Sequence, residues 1–312
     1  MRALIACRQM QDCFERFRPR FDQLGIECVL PVVLQQMTEE DLLPIIGEFD
    51  GMIAGDDHLT SRVLEAAPRL KIISKWGIGT DSIDLAAAER LGIRVTNTPA
   101  VFGDDVADVA AGYLVLLARQ LHVIDASVKS GGWLKHRGTA LSAKTLGIYG
   151  LGSIGRAVAQ RGRGFGMRVV GFDVSPESAT LAQQAGVETV DGADELFRSS
   201  EFLVLCAPAT PQTRHVVNAR SLRLMPEGSC LINVSRGSLV DESALADALA
   251  TDSLAGAALD VFEQEPLPAE SRLRAFPGCI FGSHNASNTE QGVLRASEKA
   301  VDNLLDALRP SS

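Results

Sequence analysis

The stretch Thr145-Leu146-Gly147-Ile148-Tyr149-Gly150-Leu151-Gly152-Ser153-Ile154-Gly155 decides the fold. Its first five residues have the length and apolar character of a buried strand, and the glycines follow at once in the spacing G-x-G-x-x-G. A helical stretch from Arg156 to Arg163 comes next, and then a second strand that runs into Asp173. In a strand-turn-helix-strand unit each glycine has its own task. Gly150 permits the tight turn, Gly152 lets a pyrophosphate approach the backbone, and Gly155 lets the helix pack closely on the strand, while the helix N-terminus attracts the anion. Asp173, eighteen residues after Gly155, stands where a carboxylate accepts hydrogen bonds from ribose hydroxyls and repels a 2′-phosphate. The expected cofactor is NAD rather than NADP.

On both sides of this unit, short apolar runs alternate with longer stretches of helical period. The expected strands are Ala3 to Cys7, Gly51 to Ala54, Leu70 to Ser74, Arg94 to Thr96, Thr145 to Tyr149, Arg168 to Phe172, Phe202 to Cys206, Cys230 to Val234, Ala257 to Leu259 and Cys279 to Phe281. Strands apolar on both faces and separated by helices imply parallel sheets covered on both sides. The fold class is therefore α/β. The rhythm breaks at Asn97-Thr98-Pro99, before a long helix expected from about Asp104 to Ser130, and a domain boundary is placed there. A last helix, Glu290 to Leu308, puts Val293, Ala300, Val301, Leu304, Leu305 and Leu308 on one face.

Composition narrows the classes of function. The 312 residues suffice for two domains, and 46% hydrophobic with 22% charged residues is ordinary for a globular protein. A net charge of -9 without a Lys/Arg cluster disfavours nucleic acid as a partner. The six cysteines form no C-x-x-C pair, which suits a reducing compartment, and no metal is expected. The apolar run before Arg8 is shorter than the core of an export signal, and Val106 to Ala118 is too short to cross a bilayer. A cytoplasmic protein without membrane contact is expected.

Reducing a 2-oxo acid needs a cation for the carboxylate and carbonyl, and an acid for the forming alkoxide. The strand Cys230 to Val234 leads into Ser235-Arg236-Gly237-Ser238-Leu239-Val240-Asp241-Glu242, so Arg236 comes from the carboxyl end of a strand, where open α/β sheets bind ligands. Of five histidines only His284 directly follows a late strand of the nucleotide-binding series. A carboxylate from Asp260-Val261-Phe262-Glu263-Gln264-Glu265-Pro266 could charge that imidazole, and spacing alone leaves Glu263 and Glu265 equivalent. In the N-terminal half, the strand Leu70 to Ser74 feeds Lys75-Trp76-Gly77-Ile78-Gly79, which sets a cation beside a glycine turn. Lys75 is expected at the rim of a cleft, where it would extend recognition to an anionic tail such as a phosphate.

These motifs, in this order, resemble the D-isomer-specific 2-hydroxyacid dehydrogenase family, in particular its phosphoglycerate dehydrogenase-like branch. The resemblance covers nearly the whole chain, through Lys75 to Asp84, Asn97-Thr98-Pro99, Gly150 to Gly155, Asn233 to Glu242, Ala258 to Pro266 and His284 to Thr289. It implies two Rossmann-like domains with an interdomain cleft, a substrate-binding domain of residues 1–98 plus 286–312, and an NAD-binding domain of residues 99–285. It implies that Arg236 binds substrate, that His284 is the proton donor, and that Glu265 orients and charges the histidine. NAD contacts are implied for Gly150, Gly152, Ser153, Ile154, Gly155, Asp173, Val234, Ser235, Arg236, Asp260 and His284. The turn Gly77, Ile78, Gly79 is implied to hold the substrate carboxylate, through the amides of Ile78 and Gly79.

The resemblance also implies a homodimer built through the NAD-binding domain. Two stretches depart from the family pattern: Phe102-Gly103-Asp104-Asp105, where many members carry Asn-Ala-Glu, and His284-Asn285-Ala286-Ser287, where His-x-Gly-Gly is commoner. Both bear on the substrate. The chain ends soon after Leu308, so no appended regulatory domain and no serine feedback are expected. The expected function is NAD-dependent hydride transfer between nicotinamide and a small D-2-hydroxy acid or 2-oxo acid, of the phosphoglycerate, glycerate/hydroxypyruvate or glyoxylate type. The alternative is an NAD(H)-sensing, non-enzymatic protein like the corepressors that share this fold, which usually carry extra interaction segments.

Overall fold

The computed structural model describes residues 1–309; residues 310–312, the end of the expected substrate-binding domain, lie outside them. The chain divides into two compact units, one of Met1–Val101 with the residues from Asn288 onward, the other Phe102–Ser287.

Unit 1 is built on five parallel strands, β1 (Arg2–Ile5), β2 (Glu27–Val29), β3 (Gly51–Ala54), β4 (Ile72–Lys75) and β5 (Arg94–Thr96), in the order β2-β1-β3-β4-β5. Every residue of β3 and β4 is buried, as expected of a sheet covered on both faces. One cover is the C-terminal helix Glu290–Leu308, whose six expected inward residues are all buried. Its partner, which the sequence left open, is the centre of this sheet. A Cβ at Gly51 would lie 2.8 Å from Leu304 Cδ1 and 3.1 Å from Leu308 Cδ1, so the absent side chain makes room for the helix. Ser74 Oγ donates to the carbonyl of Ala300 at 2.8 Å, and Trp76 Nε1 donates to Ser297 Oγ at 3.0 Å.

Unit 2 holds seven parallel strands: β6 (Thr145–Tyr149), β7 (Arg168–Phe172), β8 (Glu188–Thr189), β9 (Phe202–Leu205), β10 (Ser229–Asn233), β11 (Leu254–Leu259) and β12 (Ile280–Phe281). Their order is β12-β11-β10-β9-β6-β7-β8, which reverses beside β6. Loops leaving β6 and β9 diverge there, and such a switch point is where doubly wound sheets bind ligands.

Three elements differ from expectation. The edge strands β2 and β8 were not anticipated; they are three and two residues long and largely outside the apolar core, so they lack the continuous apolar run that marks a buried strand. The expected long helix is two, Gly103–Arg119 and Leu121–Lys129, broken where Gln120 takes a left-handed φ of 51°. No single helix among the described residues is long and apolar enough to cross a membrane; the pair around Gln120 reaches that length only across a 68° bend.

Leu304 is fully buried between its helix and the sheet. Leu304→Ala is expected to lower unfolding free energy by about 2 to 5 kcal/mol through lost apolar burial and a residual cavity. Urea denaturation measures it, and a loss below about 0.5 kcal/mol would mean that the helix is not anchored on β3.

Candidate active site

The glycine turn after β6 is shaped by close approach. Gly150 has a φ of 98°, and a Cβ on it would lie 2.6 Å from the amide nitrogen of Ala207 in the loop after β9. A Cβ on Gly155 would run into the carbonyl oxygen of Gly150, whereas one on Gly152 meets nothing within 4 Å. The backbone is thus packed tightly at the two outer glycines and open at the middle one. Gly152 is the N-cap of the helix Ser153–Gly164 and supplies no side-chain cap, so the first-turn N–H groups are not satisfied by a capping side chain. This geometry suits a diphosphate. Asp173, at the end of β7, is tied to the same turn: its Oδ2 accepts from Leu151 N at 2.6 Å and its Oδ1 from Ser175 N at 2.8 Å.

The loop after β10 carries Val234, Ser235 and Arg236. Asn233, fully buried, fixes its shape: its Oδ1 accepts from the amide and hydroxyl of Ser235 at 3.1 Å each, and its Nδ2 donates to the carbonyl of Arg236 at 2.8 Å. The Arg236 guanidinium is partly buried and donates to the carbonyl of Ser235 at 2.9 Å. Beyond it, Gly237 has no room for a side chain, because a Cβ would collide with the Phe262–Glu263 peptide. The arginine loop and the turn after β11 are therefore in backbone contact.

That turn presents the two candidate carboxylates, and the structure separates them. Glu265 Oε2 lies 2.8 Å from His284 Nδ1, and its Oε1 accepts from Phe262 N at 2.9 Å. Glu263 instead meets His215, with Oε1 2.5 Å from Nε2. An ionised carboxylate only accepts, so Nδ1 of His284 carries the proton on the Glu265 side.

Asp260 holds the histidine loop. Its carbonyl accepts from His284 N at 2.7 Å, and its carboxylate accepts from Asn285 N at 3.2 Å and Ala286 N at 2.8 Å. His284 sits at a φ of 54°, a conformation that a residue with a side chain keeps only when its surroundings impose it. Tyr113, absent from the sequence-based candidates, stands behind this loop. A Cβ on Gly282 would lie 2.7 Å from its hydroxyl and collide with Asp260 Oδ1. Burial, and then the charge of Asp260, pushes the Tyr113 hydroxyl up, so it stays a phenol. No sequence signal marked it, because it lies in the apolar stripe of a helix.

In unit 1, the turn Gly77 to Gly79 is fixed from one side. Gly77, at a φ of 111°, donates to Thr98 Oγ1 at 2.8 Å and accepts from Thr98 N at 2.9 Å, while Asn97 Nδ2 donates to Ile78 O at 2.8 Å. These bonds do not use the amides of Ile78 or Gly79. Lys75 departs from the rim position expected of it. It is the last residue of β4, 2% exposed; its ammonium donates to the carbonyl of Trp76 at 2.8 Å and pairs with Asp56 at 3.2 Å. The strand runs one residue further than its apolar run, which carries the lysine inside.

The sequence model of the family described as "D-isomer specific 2-hydroxyacid dehydrogenase, NAD binding domain" matches residues 111–286. The chain belongs to the D-isomer specific 2-hydroxyacid dehydrogenase family. It is 38% identical over 255 residues to a glyoxylate reductase of Korarchaeum cryptofilum, covering 80% of this chain and 76% of that protein. It is 36% identical over 277 residues to a D-3-phosphoglycerate dehydrogenase of Methanocaldococcus jannaschii, covering 88% of this chain and 52% of that protein. The chain thus spans about half the length of the D-3-phosphoglycerate dehydrogenases it matches. Its fold is similar to that of a D-lactate dehydrogenase from Aquifex aeolicus, solved with NAD and lactic acid, with a TM-score of 0.86, 26% identity and full coverage of both chains.

Gly155→Ala tests the tight turn. The methyl must displace the Gly150 carbonyl, and overpacking of this kind costs about 1 to 3 kcal/mol. Urea unfolding is expected to show that loss, and a variant as stable as the parent would mean that the helix is not seated on the turn.

Proposed function

We propose that the protein is an NAD-dependent dehydrogenase of small D-2-hydroxy acids, in which His284 exchanges the proton, Glu265 orients and charges it, and Arg236 binds the substrate. The observation that carries this reading is the 2.8 Å contact between Glu265 and His284, in a chain of this family, on loops that follow neighbouring parallel strands. A carboxylate beside the imidazole favours its charged form, which is what a general acid requires at neutral pH. For reduction His284 donates its Nε2 proton to the forming alkoxide; for oxidation the neutral ring removes it. Arg236 offers a planar fork for a carboxylate, and its charge polarises a neighbouring carbonyl.

Bound NAD(H) supplies or accepts the hydride. Gly150, Gly152, Ser153, Ile154 and Gly155 would hold its diphosphate and Asp173 its ribose, with Val234, Ser235, Arg236, Asp260 and His284 as further contacts. Asp173 supports NAD over NADP, since a 2′-phosphate beside it meets like charge. Substrate contacts in unit 1 are assigned to Gly77 and the amides of Ile78 and Gly79. Lys75, 3.3 Å from where a Gly77 Cβ would be, adds a buried positive charge beneath that turn rather than a solvent-facing one. Glyoxylate, hydroxypyruvate and 3-phosphohydroxypyruvate are the substrates we favour, on the activities for which its relatives are named.

We also propose a homodimer made through unit 2 and residence in a reducing compartment. The helix Leu121–Lys129 has no buried residue, and the irregular segment after it is exposed from residue 132 to 138, with Trp133 78% exposed. Apolar surface of that kind marks an interaction site. All six cysteines are free thiols.

NADH oxidation with a panel of 2-oxo acids tests the chemistry. His284→Ala is expected to lower kcat by about 10² to 10⁴. Glu265→Gln should leave NADH affinity unchanged and move the alkaline limb of the reduction profile to lower pH, because the imidazolium loses its counter-charge. An active His284→Ala variant would remove the histidine from the mechanism. Asp173→Ala is expected to narrow the preference for NADH over NADPH, and equal use of both by the parent would contradict the cofactor assignment.

Light scattering tests the assembly. The parent is expected at the mass of two chains and Trp133→Glu at one; a parent of one-chain mass would exclude the dimer.

A further inference from the structure

Beside the Glu265–His284 pair stands a second group of titratable side chains that the mechanism does not use. Glu242, the first residue of the helix Glu242–Ala250, accepts from Glu263 N at 2.7 Å through Oε1, and its own amide is 3.4 Å from Glu263 Oε2. The two glutamates thus exchange backbone and side-chain contacts. Glu263 is held on its other oxygen by His215, itself at a φ of 48° with its amide donating to Ser238 O at 2.9 Å. Between these anchors and Glu265 there is one residue, Gln264. The opposite side of the turn is closed by Gly237, which has no space to let the Phe262–Glu263 peptide move toward Arg236.

We infer that Glu242 and His215 are positioning residues: by clamping Glu263 they fix the turn that aims Glu265 at His284. This rests on the dehydrogenase reading only for the role of His284. The turn has two hydrogen bonds of its own that bear on Glu265, from Phe262 N and to His284, and neither fixes the position of its backbone relative to the sheet. The clamp supplies that. Glu242 is near enough to sense the catalytic carboxylate. Burial first, and then the charges of Glu263 and Glu265, push its carboxyl above the usual range, against the opposing hydrogen bond from Glu263 N. The titratable groups facing it are Glu263 and Glu265 on the turn and, through Glu263, His215 on the loop after β9. Misplacing a catalytic group by about 1 Å costs up to ~10²-fold in rate, so a loosened turn is expected to reduce kcat while leaving NADH binding intact.

The test uses proton NMR of the full protein with 15N-labelled histidine, reading the downfield His284 Nδ1–H resonance that a 2.8 Å hydrogen bond to a carboxylate produces. Glu265→Gln identifies it by moving or abolishing it. Glu242→Ala and His215→Ala are expected to shift or broaden the resonance and to lower kcat about 10- to 100-fold at unchanged NADH affinity. Glu242→Gln, which keeps the acceptor for Glu263 N, should retain the parent resonance and most of the rate. A resonance unchanged in Glu242→Ala and His215→Ala would overturn the inference, and so would a resonance lost equally in Glu242→Gln and Glu242→Ala. If Glu242→Ala fails to fold, His215→Ala and Glu242→Gln decide it. A parent that oxidises NADH with no 2-oxo acid would defeat the dehydrogenase reading while leaving the resonance test of the clamp in force.

Discussion

Asp260 is buried at the end of β11, and its carbonyl and carboxylate accept three successive backbone amides, those of His284, Asn285 and Ala286. Those bonds hold His284 in a left-handed backbone conformation that would otherwise cost about 1 to 3 kcal/mol. The imidazole orientation, its contact with Glu265, and the close approach at Gly282 all follow from this one anchorage. A carboxylate can do this only because the parallel sheet delivers β11 and β12 side by side, with both loops leaving from the same end.

The same arrangement accounts for the rest of unit 2. Three consecutive loops, after β10, β11 and β12, carry the arginine, the glutamate and the histidine, and the loop after β6 carries the glycine turn. Close approaches that leave no room for a side chain tie these loops to their surroundings: Gly150 meets the backbone of the loop after β9, Gly237 the Phe262–Glu263 peptide, and Gly282 the side chains of Asp260 and Tyr113. Rigidity of this kind is what a site needs to keep groups within reach of one another through a turnover.

The alternation of apolar strands and helices was legible because parallel strands buried on both faces leave a continuous apolar signal. Gly51–Ala54, Arg94–Thr96, Thr145–Tyr149 and Arg168–Phe172 are found where the sequence placed them. β2 and β8 were not legible, because β8 holds no apolar residue and Glu27 and Pro31 interrupt the apolar run around β2, and the break at Gln120 carries no glycine or proline to announce it. The site was legible in its residue types and less so in its pairings. Spacing could not tell Glu263 from Glu265, because the choice is made by the path of the turn, which sends one to His215 and the other to His284. His215 was passed over for want of a preceding late strand. Lys75 was misplaced for a related reason: a lysine after an apolar run reads as the start of a loop, whereas the hydrogen-bonded strand continues through it and Asp56 answers its charge inside.

The proposed function requires direct hydride transfer to the 2-carbon of a small 2-oxo acid. The decisive measurement is mass spectrometry and chiral chromatography of the product formed from glyoxylate or hydroxypyruvate with NADH deuterated at both C4 positions. One deuterium is expected at the carbinol carbon, with the D configuration at C2 of glycerate. A product without deuterium at that position, or of the L configuration, would contradict it.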